Sequence, residues 1–149
     1  DIEARDAMAT AQYIAGMGFS NVGLGIVHSM AHPLGAFYDT PHGVANATLL
    51  PYVMEYNAES PSRAKYLDIA RAMGVKTDGM SVDEGVRAAV DAVKALSLSI
   101  RIPQRLHELG VREEDIPGLA VAAFNDVCTG GNPRPTSVEE IERLYHIAY

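Results

Sequence analysis

Apolar residues recur along this chain at the three-and-four spacing of helices, and nowhere in the strict alternation of strands. Residues 3 to 20 place Ala4, Ala7, Met8, Ala11, Ala15 and Phe19 on one stripe, whose small side chains allow a close helix neighbour. Gly23 to Phe37 reads as a second helix, interrupted at Pro33 because proline lacks the N–H that the helix needs. Tyr38 to Pro41 reads as a turn, with Thr40 as an N-cap and Pro41 at the first position of the next helix. That helix extends to Asn57 with a kink expected at Pro51. Ser62 to Met73 is amphipathic, with Tyr66, Ile69, Ala70 and Met73 on one face and Gly74 as terminator. Ser81 and Glu84 form a capping-box pattern ahead of a helix whose inner positions are Val86, Val90, Val93 and Leu96. Pro103 opens a short helix closed by Gly110, and Pro117 to Asp126 forms another. After a loop from Thr129 to Pro133, Ser137 and Glu140 cap a last helix with Ile141, Leu144, Tyr145 and Ala148 inside. The pattern predicts an all-α fold: a compact bundle of seven or eight helices with no internal boundary.

Composition narrows the partners. A chain of 149 residues suffices for one domain that buries roughly 70% of its unfolded surface. Its formal net charge of −7 argues against nucleic acid or an anionic membrane, since both require a basic face. No apolar run approaches the roughly 20 residues of a membrane span, and DIEARD is not a basic-then-apolar leader. One cysteine, Cys128, excludes an internal disulfide framework and fits a reducing, cytoplasmic setting. A helical pattern already running in the first residues, without an initiator Met, suggests a piece of a longer protein.

Chemistry concentrates between Gly23 and Gly43, which hold three of the five histidines among Gly23, Gly25, Gly35, Gly43, Pro33 and Pro41. His107 and His146 lie on ordinary amphipathic patterns and read as structural. Neutral imidazole is the commonest transition-metal ligand, and histidines one helical turn apart can face one spot. That favours His28 with His32, yet Pro33 disfavours helical backbone at His32. His42 lies in the first turn after Pro41, where the helix dipole favours a neutral ring, so His28 with His42 is an equally good pair.

Taken whole, Gly25-x2-His28-x2-Ala31-His32-x2-Gly35-x5-Pro41-His42-Gly43 resembles the signature of the iron-containing (group III) alcohol dehydrogenases. The resemblance continues through ARDAMATAQYIAGMGFSN, LPYVMEYNA and DVCTGGNPRPTSVEEIERLYH. It implies the family's C-terminal helical domain, of the dehydroquinate synthase-like kind. By that resemblance His28 and His42 match two of four ligands to a catalytic divalent metal, usually Fe2+, with Zn2+ or another ion as substitutes. His32 matches a histidine beside the nicotinamide of NAD that helps relay the proton. The other two ligands, an Asp and a His four residues apart, lie upstream in the family. Here Asp1 and Asp6 are followed at that distance by Arg5 and Thr10, so the pair is not present. The glycine-rich dinucleotide loop belongs to the family's N-terminal α/β domain and is not present either.

The implied activity is NAD-linked interconversion of small aldehydes or hydroxyaldehydes with alcohols or diols. A metal would serve as Lewis acid and the cofactor as hydride carrier. Phe19 and Leu24, which flank the signature, and Cys128 are expected to line a mostly apolar substrate pocket. With two ligands of four and no nucleotide domain, the 149 residues alone are expected to be inactive, and the full-length protein to be a homodimer. Two other readings compete. One is a free-standing helical metal-binding or interaction module without catalysis. The other is a metallohydrolase, which would need more carboxylates than Asp39, the one acid in the stretch.

Overall fold

The computed structural model describes residues 1–149 and contains only helices and turns. Seven α-helices follow one another: α1 (Ile2–Val22), α2 (Ile26–Tyr38), α3 (His42–Asn57), α4 (Tyr66–Ala72), α5 (Val82–Ser99), α6 (Ile116–Phe124) and α7 (Val138–Ala148). Four single 3-10 turns, at Arg63–Lys65, Leu106–Leu109, Glu113–Asp115 and Thr129–Gly131, join them. The all-α expectation holds.

Two apolar cores share α3. The larger one joins α2 (Ile26, Met30, Ala31, Leu34), α3 (Ala45, Leu49, Val53, Tyr56), α6 (Ile116, Leu119, Ala120, Ala123) and α7 (Ile141, Leu144, Tyr145, Ala148). All four inner positions expected for α7 are buried. Each such leucine or isoleucine contributes roughly 1.5–3 kcal/mol when removed from water. The Tyr145 hydroxyl, enclosed in this core, donates to the Met30 carbonyl at 2.6 Å, which ties α7 to α2. The smaller core packs Met54 and Ala58 against Tyr66 and Ala70 of α4 and Ala89 and Val90 of α5.

The local chemistry departs from expectation at several joints. α2 runs unbroken through Pro33, whose ring is buried and whose lost N–H bond is outweighed by core packing on both sides. It ends at Asp39 in the left-handed conformation (φ 54°), whose N–H returns to the Gly35 carbonyl at 3.1 Å. Thr40 makes no cap; it is buried, and Pro41 itself precedes His42, the first residue of α3. Pro103 lies outside any helix, and only the turn Leu106–Leu109 precedes Gly110. In α5 the capping box of Ser81 and Glu84 is present. Of its expected inner positions Val90 is buried and Val86 and Val93 pack against the smaller core, while Leu96 is exposed; Gly85 is buried too, where α4 approaches so closely that a Cβ would meet Leu67. The apolar stripe of α1 meets no wall: none of its 21 residues is buried, and Met8, Tyr13 and Met17 are exposed.

Candidate metal centre

The three clustered histidines come from the two helices of one tight hairpin. His28 and His32 stand one turn apart on α2, and the short link through Asp39 and Pro41 returns the chain so that His42 opens α3 beside them. Ring centroids lie 5.3 Å apart for His28 and His42, 5.5 Å for His32 and His42, and 6.2 Å for His28 and His32. Two imidazoles sharing one tetrahedral ion through nitrogens about 2.1 Å away would put their centroids roughly 5 Å apart. By this measure His28 with His42, at 5.3 Å, and His32 with His42, at 5.5 Å, both fit a shared ion, and it is the resemblance of the signature that favours the first pair. Burial, and after it the neighbouring His42 and His32, holds the His28 pKa below its ordinary value, against a smaller upward pull from Asp126. A neutral imidazole is the form that donates a lone pair to a metal. His42 is the more exposed ring, and its Asn46 neighbour one turn on donates to the His42 carbonyl at 2.9 Å.

His32 differs from the other two in having a fixed partner. Its Nδ1 lies 2.8 Å from Oδ2 of Asp126, a residue in the bend after α6. The other carboxylate oxygen accepts the Cys128 N–H at 2.8 Å and the buried Ser29 hydroxyl at 3.5 Å. Burial alone would raise the Asp126 pKa, but hydrogen bonds from His32 and Cys128 outweigh it and hold the carboxyl below its ordinary value. The Cys128 thiol moves the opposite way, raised by burial and by Asp126 beside it. Donor atoms of His32, Asp126 and Cys128 all lie within 4.8 Å of one another, close enough for a second ligand group. The two carboxylate oxygens of Asp126 are already engaged by His32, the Cys128 N–H and the Ser29 hydroxyl.

One loop brings this network to the histidines. Asn132 Oδ1 accepts the Ile26 N–H at 3.4 Å and the Asn57 amide at 3.0 Å, and Asn132 Nδ2 donates back to Asn57 Oδ1 at 2.8 Å. Asn132 thereby does for α2 what its N-cap, Gly25, has no side chain to do. The loop and the start of α2 touch backbone to backbone, since a Cβ on Gly131 would fall 2.0 Å from the Leu24 carbonyl oxygen. Phe19, Leu24 and Cys128 line one open pocket of about 370 Å³ at this junction. Phe19, Leu24 and His28 also line an adjoining one of about 580 Å³, and the Phe19 ring centroid is 6.2 Å from that of His28. All six residues singled out from sequence thus gather at one corner of the molecule. Asp126 and Asn132 were not among them. Both lie in the DVCTGGNPRP segment, where only the cysteine drew notice, and a carboxylate two residues from it was the available signal.

The sequence profile described as Fe-containing alcohol dehydrogenase family, C-terminal, matches residues 1–149. Lactaldehyde reductase of Escherichia coli (strain K12) is 63% identical over all 149 residues, which cover 39% of that protein. The NAD-dependent methanol dehydrogenase of Bacillus methanolicus is 41% identical over 144 residues, 97% of this chain and 38% of that one. A solved 1,3-propanediol oxidoreductase superposes with a TM-score of 0.96 at 44% identity, covering all of this chain and 39% of the other. The chain therefore spans about two-fifths of the length of the curated relatives it matches.

Proposed function

The chain belongs to the Fe-containing alcohol dehydrogenase family, and from that premise we propose that it is the metal-bearing helical part of an NAD-linked oxidoreductase of small aldehydes and alcohols. Lactaldehyde and propane-1,2-diol are the proposed pair, in line with the 63% identity to a lactaldehyde reductase. The observation that carries the proposal is the His28–His42 pair of the α2–α3 hairpin, 5.3 Å apart between ring centres. Two imidazole nitrogens suit Fe2+ or Zn2+, and the remaining ligands and the nucleotide domain would come from the rest of the full-length protein. A bound divalent ion supplies Lewis-acid polarisation of the substrate oxygen, and NADH supplies hydride.

The chain's own residues have separable tasks. His28 and His42 hold the ion. His32 moves a proton between the substrate oxygen and solvent, from the ring nitrogen that Asp126 leaves free. Phe19, Leu24 and Cys128 give the pocket an apolar wall that suits a short aliphatic chain. In this reading the 149 residues alone turn over no substrate.

The test is metal content and NADH-dependent reduction of lactaldehyde in the full-length protein. His28→Ala and His42→Ala are expected to lose the metal. His32→Ala is expected to keep it and to slow turnover by about 10²-fold or more. Full metal content in His42→Ala would refute the ligand assignment.

A further inference from the structure

We infer that Asp126 is the positioning residue of this site: its carboxylate fixes the tautomer and the ring orientation of His32. The inference rests on the proton-moving role proposed for His32 and adds a residue to it. Four observations support it. Oδ2 of Asp126 takes Nδ1 of His32 at 2.8 Å. Its other oxygen is occupied by the Cys128 N–H at 2.8 Å and by the Ser29 hydroxyl at 3.5 Å, so the carboxylate cannot swing away. Ser29 is fully buried, sits three residues before His32 on the same face of α2, and is within 2.8 Å of the Thr129 hydroxyl. The network therefore joins α2 to the loop after α6 at this one imidazole.

A carboxylate only accepts hydrogen bonds, so a neutral His32 facing Asp126 must carry its proton on Nδ1. Nε2 then keeps its lone pair and is the atom through which a proton passes. For aldehyde reduction His32 first takes a proton from solvent at Nε2; the imidazolium then passes that proton to the substrate oxygen as the carbonyl carbon accepts hydride from NADH, and returns to neutral imidazole protonated on Nδ1. Oxidation of the alcohol runs the same steps backwards. Without Asp126 the ring can turn and can place its single proton on either nitrogen.

The experiment compares full-length wild type, Asp126→Asn, His32→Ala and the double variant for metal content, kcat, and KM for NADH and aldehyde. An asparagine amide can donate to Nδ1 and drive the proton onto Nε2, so Asp126→Asn reverses the tautomer while changing little volume. The expected result is retained metal, unchanged KM for NADH, and kcat lower by about 10- to 100-fold. In the His32→Ala background the same substitution should have no further effect. Unchanged kcat in Asp126→Asn, or a full additional loss in the double variant, would overturn the inference while leaving the metal assignment intact. Metal loss in Asp126→Asn would overturn it too, by placing Asp126 and His32 in the ion's support. Should that variant fail to fold, nitrogen-15 spectra of histidine-labelled, zinc-loaded wild type decide the matter. His32 protonated on Nδ1 supports the inference, and His32 protonated on Nε2 ends it.

Discussion

α1 borders the histidine cluster through Phe19 and α2 carries two of its rings; both helices have apolar residues at helical spacing, and they end in opposite circumstances. α2 buries Ile26, Met30, Ala31 and Leu34 against three other helices, while α1, longer by eight residues, buries nothing. The difference shows that periodicity specifies a face but not what covers it. It also has a local consequence. The candidate site lies on the seam between the two: His28 and His32 stand on the packed wall, and Phe19 reaches them from the bare helix. Preorganisation of the proposed His28–His42 pair comes from the packed helices α2 and α3, whereas the apolar wall of the pocket depends on a helix that the rest of the chain does not hold.

The strongest way to break this contrast is to delete equivalent side chains on the two helices. Leu34→Ala removes a side chain with no exposure in the main core and should cost about 2–5 kcal/mol. Met8→Ala, on a residue that is 68% exposed, should change stability by no more than about 0.5 kcal/mol. Urea unfolding of the two variants measures both. Comparable costs would mean that α1 packs against something in the folded chain and that the contrast is false.

Much of this was legible in advance, because the signals were local. Capping at Ser81 and Ser137, the left-handed stop at Gly110 and the inner face of α7 are each set within a turn or two of sequence. The histidine cluster was legible for the same reason, lying within one 21-residue stretch. What escaped was set by contacts distant in sequence. Pro33 is tolerated because α3 and α6 pack along α2, and Gly85 is buried in α5 because α4 approaches too closely there for a Cβ. Asp126 was missed because its partners, His32 and Ser29, are 94 and 97 residues away. Asn132 was missed likewise, since an asparagine in a Gly-Pro loop ordinarily serves its own turn, and here it caps a helix 106 residues earlier.

That remote cap sharpens the comparison, since it is one reason α2 has a fixed N-terminus. Asn132→Ala removes the acceptor for the Ile26 N–H and both halves of the amide pair with Asn57. With the Arg134 carbonyl, to which Asn132 Nδ2 also donates at 2.7 Å, four polar groups lose partners in a half-buried setting, so the expected loss is about 1–3 kcal/mol. Amide exchange should quicken first at the start of α2 and leave its far end slow. Uniform acceleration along α2 would show instead that Asn132 supports the whole core rather than one helix end.

The smallest effect is expected at that far end, where acid tests a different tie. Asp115 accepts hydrogen bonds from the Tyr38 hydroxyl, at the last residue of α2, and from Arg112 at 2.9 Å. Tyr38 first and Arg112 second hold its carboxyl below the ordinary 3.8. The folded state therefore binds this proton less readily than the unfolded chain does. The contribution is complete above the ordinary value and is lost as pH falls through the lower, folded one. Comparing wild type with Asp115→Asn by urea midpoint should show a small gap at pH 6 that closes by pH 2.5. The tie is solvent-facing and screened, so the gap should also shrink in high salt. A gap that persists unchanged at pH 2.5 would mean that the asparagine acts through shape rather than charge. The end of α2 would then be held by packing throughout, and the contrast with α1 would be wider still.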